Sequence, residues 1–134
     1  MTRPHPLRTA VETEDWTAVS GLLHPDVEFR SPAVFTPYRG RTACLHLLNH
    51  VKQVFEGFHY VDELSGGDGA PTAGLVFRAT VEGKALEGWD YLTMDAEGLI
   101  TEFVVMVRPA SGLIALAQAM GARLDADPVP QTAT

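Results

Sequence analysis

Asp90 is the residue whose type and setting most suggest chemistry. Read as a strand, Lys84 to Met94 alternates its side chains between two faces. Asp90 then shares a face with Leu86, Gly88, Leu92 and Met94, while Glu87, Trp89, Tyr91 and Thr93 take the other. A carboxylate on the more aliphatic face must find donors or keep its proton, because an unpaired buried charge is costly. A kept proton would make Asp90 a hydrogen-bond donor to an oxygen that gains negative charge during a reaction. The alternative is a structural carboxylate bonded to Trp16, Tyr38 or Tyr60, or one that faces outward where two chains meet.

Other reactive types carry weaker patterns. His46 and His50 are four apart in a helical stretch, but no Glu lies between them and no third ligand is evident, so a solvated helix flank is expected and no metal site. His24, before Pro25-Asp26, is expected at a helix end, His59 outward, and His5 in a frayed start. The single cysteine, Cys44, forms no intrachain disulfide and no metal or redox motif. There is no phosphate loop, Rossmann glycine run or nucleophile elbow, so no cofactor is expected.

The elements that must position these groups follow from periodicity. Leu7, Val11, Ala18, Val19, Leu22 and Leu23 fit an amphipathic helix from about Leu7 to Leu23, restarted at Asp15 as an N-cap and stopped by Pro25. Asp26 to Arg30 alternates as a half-buried strand with Val27 and Phe29 inward, and Ser31 to Gly40 reads as an irregular loop. Cys44, Leu47, Leu48, Val51, Val54 and Phe55 mark a second helix over Arg41 to Glu56. Strands are expected at Phe58 to Leu64, Gly74 to Glu82, Lys84 to Met94 and Leu99 to Arg108, with a flexible loop at Ser65 to Pro71. Leu113, Leu116, Ala117, Met120 and Leu124 then stripe a last helix over Ser111 to Leu124. Helices followed by an antiparallel meander give an α+β class with helices on one face of a curved sheet.

At 134 residues the chain makes one domain, expected over residues 1–124, followed by a loose tail at 125–134 that holds two prolines. Ten basic against seventeen acidic residues leave a net charge of −7 and no basic patch, so no nucleic-acid partner is expected. The longest apolar run, Phe103 to Val107, is too short to span a membrane, and no signal-peptide core is visible. A cytoplasmic location is expected.

The element order, with Asp15-Trp16, His24-Pro25-Asp26-Val27, Tyr38-Arg39-Gly40-Arg41, Gly88-Trp89-Asp90 and Asp95 to Ile100, resembles the nuclear transport factor 2 superfamily and, within it, the SnoaL-like (polyketide cyclase-like) branch. The resemblance spans about Leu7 to Leu124. It implies a cone-shaped antiparallel or mixed sheet on about three helices, an apolar pocket, and pairing into a homodimer through the outer sheet face. The row Trp89, Tyr91 and Thr93 either forms an exposed face that suits such pairing or lies under a helix.

The resemblance also implies roles for particular residues. Asp90 falls on the oxyanion-hole aspartate of ketosteroid isomerase. That enzyme's general base would align with Ser31 and its tyrosine donor with Leu7, neither of which supplies the chemistry, so ketosteroid isomerisation is not expected. Limonene-type epoxide hydrolases would need an Arg at Gly88 and an Asp at Val105. SnoaL-like cyclases would need an acid at Val105 and a histidine near Phe103. Asp90 is expected as the catalytic group, and Trp16, Phe29, Ser31, Phe35, Tyr38, Phe55, Tyr60 and Arg108 as ligand-binding residues. Among these, Phe35 and Tyr38 would form a lid, and Arg108 would either reach the cavity mouth, toward Asp90 or a ligand carboxylate, or stay on the surface.

Three functions remain open at this point: a cofactor-free isomerase, cyclase or dehydratase acting on an apolar carbonyl-bearing small molecule; a non-catalytic carrier of a lipophilic ligand; and a dimeric interaction module.

Overall fold

The computed structural model describes residues 4–66 and 71–130. Helix α1 (Pro6–Glu12) starts at His5, whose ring accepts a hydrogen bond from the Leu7 N–H at 3.0 Å, with proline at the first helical position. His5 is therefore a helix cap, and its own N–H is held by the Glu63 carboxylate at 3.0 Å. The chain leaves the helix at Thr13 and passes through Glu14 at φ 55°. It restarts as α2 (Trp16–Leu22), where the Asp15 carboxylate accepts from the Ala18 N–H at 3.1 Å.

Helix α2 ends before Pro25 is reached. Strand β1 (Leu23–Arg30) already includes His24 and Pro25, in the stretch where its register against the neighbouring strand shifts. A proline without an N–H is tolerated in such an irregularity. His24 accordingly sits in a strand, its Nδ1 accepting from the Asp26 N–H at 2.9 Å. The following loop contains a two-residue strand, β2 (Tyr38–Arg39). Helix α3 (Arg41–Val54) carries the expected apolar stripe, with Cys44 and Leu47 buried.

Strands β3 (Glu56–Ser65), β4 (Thr72–Val81), β5 (Lys84–Met94) and β6 (Ile100–Arg108) form the meander, and α4 (Ala110–Ala126) follows. The six strands are ordered β2-β1-β6-β5-β4-β3. Among the described residues only the β1–β6 pairing is parallel, so the sheet is mixed. It is curved and does not close on itself. Among the described residues, four helices and this sheet give the α+β fold.

One sheet face carries the core: Val27 and Phe29, Leu75 and Phe77, Leu86 and Leu92, and Phe103 are buried under Leu7, Val19, Leu47 and Leu116. Helix α4 approaches β5 at backbone distance, because a Cβ on Gly112 would lie 2.7 Å from the Leu86 Cβ and 2.9 Å from the Ala85 carbonyl. Of the α4 apolar stripe only Leu116 is fully buried; Leu113, Met120 and Leu124 are half-buried.

The C-terminal segment is more ordered than its composition implies. Asp125 and Ala126 finish α4, Asp127 bonds two histidines of α3, and Val129 packs against the core. The rest of the expected tail, residues 131–134, and residues 67–70 of the expected loop lie outside the described residues. Among the described residues, no helix is long and apolar enough to cross a membrane.

Candidate functional site

Between the inner sheet face and the helices lies a cavity of about 1200 Å³. The sheet contributes Phe29, Tyr60, Phe77, Asp90, Phe103 and Val105, and the helices contribute Leu7, Val11, Trp16, Leu47, Leu48, Val51, Leu116, Met120 and Leu124. Aromatic rings make much of one wall. Phe58 lies 5.5 Å from Phe55, 4.9 Å from Phe77 and 5.0 Å from Tyr60, centroid to centroid. Phe29 and Phe103 meet at 5.3 Å across β1 and β6. The exposed polar groups Glu12, Glu14, Lys52, Gln53, His59 and Asp125 stand at the edge.

Asp90 is the one buried charged-type residue among the described residues, at 7% exposure. It lies mid-strand in β5, between Leu75 of β4 and Val105 of β6. Among the described residues no group hydrogen-bonds its carboxyl. Trp16, Tyr38 and Tyr60 do not satisfy it, and it faces the cavity rather than the outer sheet surface. Burial pushes its pKa from 3.8 up to about 8, so the acid is mostly protonated at neutral pH. Burial, and then Asp90 itself, raise the Cys44 thiol to about 12. The Tyr60 hydroxyl is raised by the same two causes in the same order. Both side chains are thus within electrostatic reach of Asp90.

Of the residues expected to bind a ligand, the structure brings Trp16, Phe29, Ser31, Tyr38, Phe55 and Tyr60 to the cavity with Asp90. Alternation on β1 and β3 turns Phe29 and Tyr60 inward, and Tyr38 is placed by its pairing with Phe29. Trp16 begins α2 at the edge, where the Lys52 ammonium lies 4.1 Å from its ring centroid. The Ser31 hydroxyl oxygen accepts from the Ala33 N–H at 3.1 Å, a local turn contact.

Two expected residues lie elsewhere. Phe35 is 94% exposed and does not line the cavity, although Pro32, Ala33 and Val34 of its loop do. Its loop position turns it to solvent, so it does not cover the cavity as a lid. Arg108 shares the outward parity of Met106 and pairs with Glu87 at 3.7 Å on the opposite sheet face. It neither reaches the mouth nor meets Asp90.

Phe58, Phe77, Leu116, Met120 and Leu124 were legible only as apolar positions, since a residue that faces a cavity and one that faces a solid core give the same periodicity. The Leu7 position is apolar and 1% exposed, and Val105 brings no acid to the wall. At Gly88 a side chain has no room, because an added Cβ would lie 2.1 Å from the Phe77 ring. An arginine of the epoxide-hydrolase kind is therefore excluded there by packing.

The chain is similar to a steroid delta-isomerase from Pseudomonas aeruginosa, with 42% identity over 88% of this chain and 85% of that chain and a TM-score of 0.82. It is also similar to an uncharacterized bacterial protein with a cystatin-like fold from Silicibacter pomeroyi DSS-3, at 32% identity, 91% and 84% coverage and a TM-score of 0.83. An NTF2-like protein from Cytophaga hutchinsonii shares the fold at 19% identity, with 79% and 87% coverage and a TM-score of 0.60. No curated protein matches. The SnoaL-like domain family matches residues 7–103. With that match over most of its length, and with the mixed sheet and helices that enclose the cavity, the chain belongs to the SnoaL-like family of the nuclear transport factor 2 fold.

Proposed function

We propose that the protein binds an apolar, carbonyl-bearing small molecule in the cavity and that Asp90, as a neutral acid, donates a hydrogen bond to the carbonyl oxygen. The observation that carries this reading is the buried Asp90 carboxyl, which has no hydrogen-bond partner among the described residues and faces an apolar cavity. The carboxyl opens onto the cavity, because among the described residues no fully enclosed side-chain nitrogen or oxygen lacks a hydrogen-bond partner, so a ligand oxygen can reach it directly. The volume, about 1200 Å³, exceeds the roughly 300–1,000 Å³ usual for small-molecule sites and leaves room for a fused-ring or similarly extended ligand. The similarity to a steroid delta-isomerase points to the same class.

The chemistry follows from what a lone acid supplies. Hydrogen-bond donation makes a carbonyl carbon more electrophilic and stabilises the oxyanion formed on it. Removal of a carbon-bound proton by the protein would need a base, and Ser31, which the resemblance sets at the place of the isomerase base, is not one. Intramolecular cyclisation fits better. An enol carbon of the substrate attacks the polarised carbonyl, and Asp90 passes its proton to the forming alkoxide. The enol O–H then returns a proton to Asp90 as its C=O forms. No cofactor enters this sequence.

A second reading, a carrier that binds without turnover, is favoured by one observation: among the described residues the other carboxylates along the cavity, Glu12, Glu14 and Asp125, are exposed at its edge. For either role we propose a homodimer paired through the outer sheet face, where Trp89, Tyr91 and Met106 are 37%, 40% and 53% exposed; light scattering coupled to gel filtration reports its mass.

Thermal-shift measurements of wild type and Asp90→Leu, which removes the donor, against fused-ring ketones, lactones and linear polyketones test the proposal. A ligand at about a hundred times its Kd adds about 2.7 kcal/mol. A hit weakened by Asp90→Leu, with product formed, supports the enzyme, and a hit with no product supports the carrier. Ligands that bind equally to both proteins would overturn the role of Asp90.

A further inference from the structure

Where the end of α4 meets α3, a cluster outside the cavity brings together three metal-ligating side chains. His46 and His50 lie one turn apart on α3, with ring centroids 4.8 Å apart. Both direct Nε2 at Asp127. His50 Nε2 is 2.8 Å from Asp127 Oδ2, and His46 Nε2 is 3.7 Å from the same oxygen and 2.9 Å from the Asp127 carbonyl oxygen. The three ligand atoms lie within 4.8 Å of one another. Zinc–ligand bonds of about 2.0–2.2 Å in a tetrahedron separate neighbouring ligand atoms by about 3.3–3.5 Å, so side-chain shifts of an ångström or so bring all three to one centre. The histidine side chains are 16% and 13% exposed and Asp127 is 60% exposed, which leaves the solvent side open for a fourth ligand.

We propose that His46, His50 and Asp127 form a site for a borderline divalent transition-metal cation of the Zn²⁺ type. Two imidazole nitrogens and one carboxylate select such an ion over Mg²⁺ or Ca²⁺, which favour all-oxygen shells. A histidine pair on one helix supplies only two ligands, and the fold adds the third from the far end of the chain. The bound ion would clasp α4 to α3, two elements that wall the cavity.

Arg123 governs the affinity of this site. Its Nε–H donates to His50 Nδ1 at 2.9 Å, and its guanidinium also bonds the Gln53 side-chain oxygen. With Nδ1 accepting, a neutral His50 carries its proton on Nε2, toward Asp127. Metal on Nε2 requires the other tautomer, whose Nδ1–H would meet the guanidinium donor. Arg123 must leave His50 when metal binds, and its charge opposes the cation. The guanidinium and the metal therefore compete for one imidazole.

Calorimetric titration of the chain, free of any histidine tag, with zinc chloride tests this, together with cobalt(II) absorption as a report of tetrahedral geometry. Expected is one equivalent bound, weakened roughly tenfold or more by His50→Ala or by Asp127→Asn and tightened several-fold by Arg123→Gln, with no competition from magnesium. His46→Gln provides an independent ligand test, and circular dichroism without metal separates a lost ligand from a lost fold. Absence of saturable zinc binding in both wild type and Arg123→Gln would overturn the proposal. So would a zinc affinity unchanged by Asp127→Asn in a folded protein.

Discussion

The ring of Phe77 occupies the space a side chain on Gly88 would fill: the two residues pair directly across β4 and β5, and an added Cβ would stand 2.1 Å from the ring. Gly88→Ala must therefore displace the Phe77 ring from its packing position against Phe55 and Phe58. A destabilisation of about 1–3 kcal/mol is expected, as for other overpacked cores, measured by urea unfolding. Loss of ligand-induced stabilisation should accompany it, since Phe77 lines the cavity.

Asp90 should make stability depend on pH in a recognisable direction. Its folded pKa, about 8, stands above its unfolded value of 3.8, so the native state holds the extra proton between them. The stability this contributes is fully present below about pH 4 and is lost as pH rises through about 8. Asn has no proton to lose. Asp90→Asn should thus match wild type near pH 4 and exceed it by on the order of a few kcal/mol at pH 9, read from denaturant midpoints at each pH. Equal stabilities at pH 9 would show that Asp90 is not held neutral.

Ligand affinity should follow the same ionisation. A carbonyl ligand bonded by the Asp90 proton should bind with constant affinity below about pH 8 and lose about tenfold per pH unit above it. Titrations at pH 7, 8 and 9 give the slope, and Asp90→Asn should remove it.

Cys44 is fully buried, and burial followed by Asp90 raises its thiol to about 12. Little thiolate is present at neutral pH, so alkylation of the native protein should be slow and should track global opening. Reaction with iodoacetamide across a urea series checks this. Rapid labelling in buffer alone would mean that α3 separates from the sheet without unfolding.

Much of the fold was legible because its signals are local. The Asp15 cap, the stripe Cys44–Leu47–Val51 and the alternation around Asp90 each arise within a few residues and appear as read. The inward direction of Asp90 followed from parity alone. The same parity places Arg108 with Met106 on the outward face, a conclusion that outweighs the length of the arginine side chain. Phe35 shows the converse: an irregular loop has no period, so its sequence carries no direction for that ring. Asp127 had no local signal at all, since its partners His46 and His50 lie far away in the sequence. The edge groups Glu12, Glu14 and Asp125 share that character.

The parallel pairing of β1 with β6 governs the order in which the molecule can assemble. Strands β3 to β6 follow one another through local connections, whereas Leu23 must find Ile100 and Arg30 must find Val104 across most of the chain. Closing such a loop costs entropy before any contact repays it, so β1 is expected to join an already formed meander. Asp90 comes with the meander, while Phe29, Ser31 and Tyr38 arrive with β1 and β2. A partly folded chain therefore has one wall of the cavity and no enclosure. A ligand that needs both walls should slow unfolding and leave the folding rate unchanged, because its binding surface is absent from the transition state.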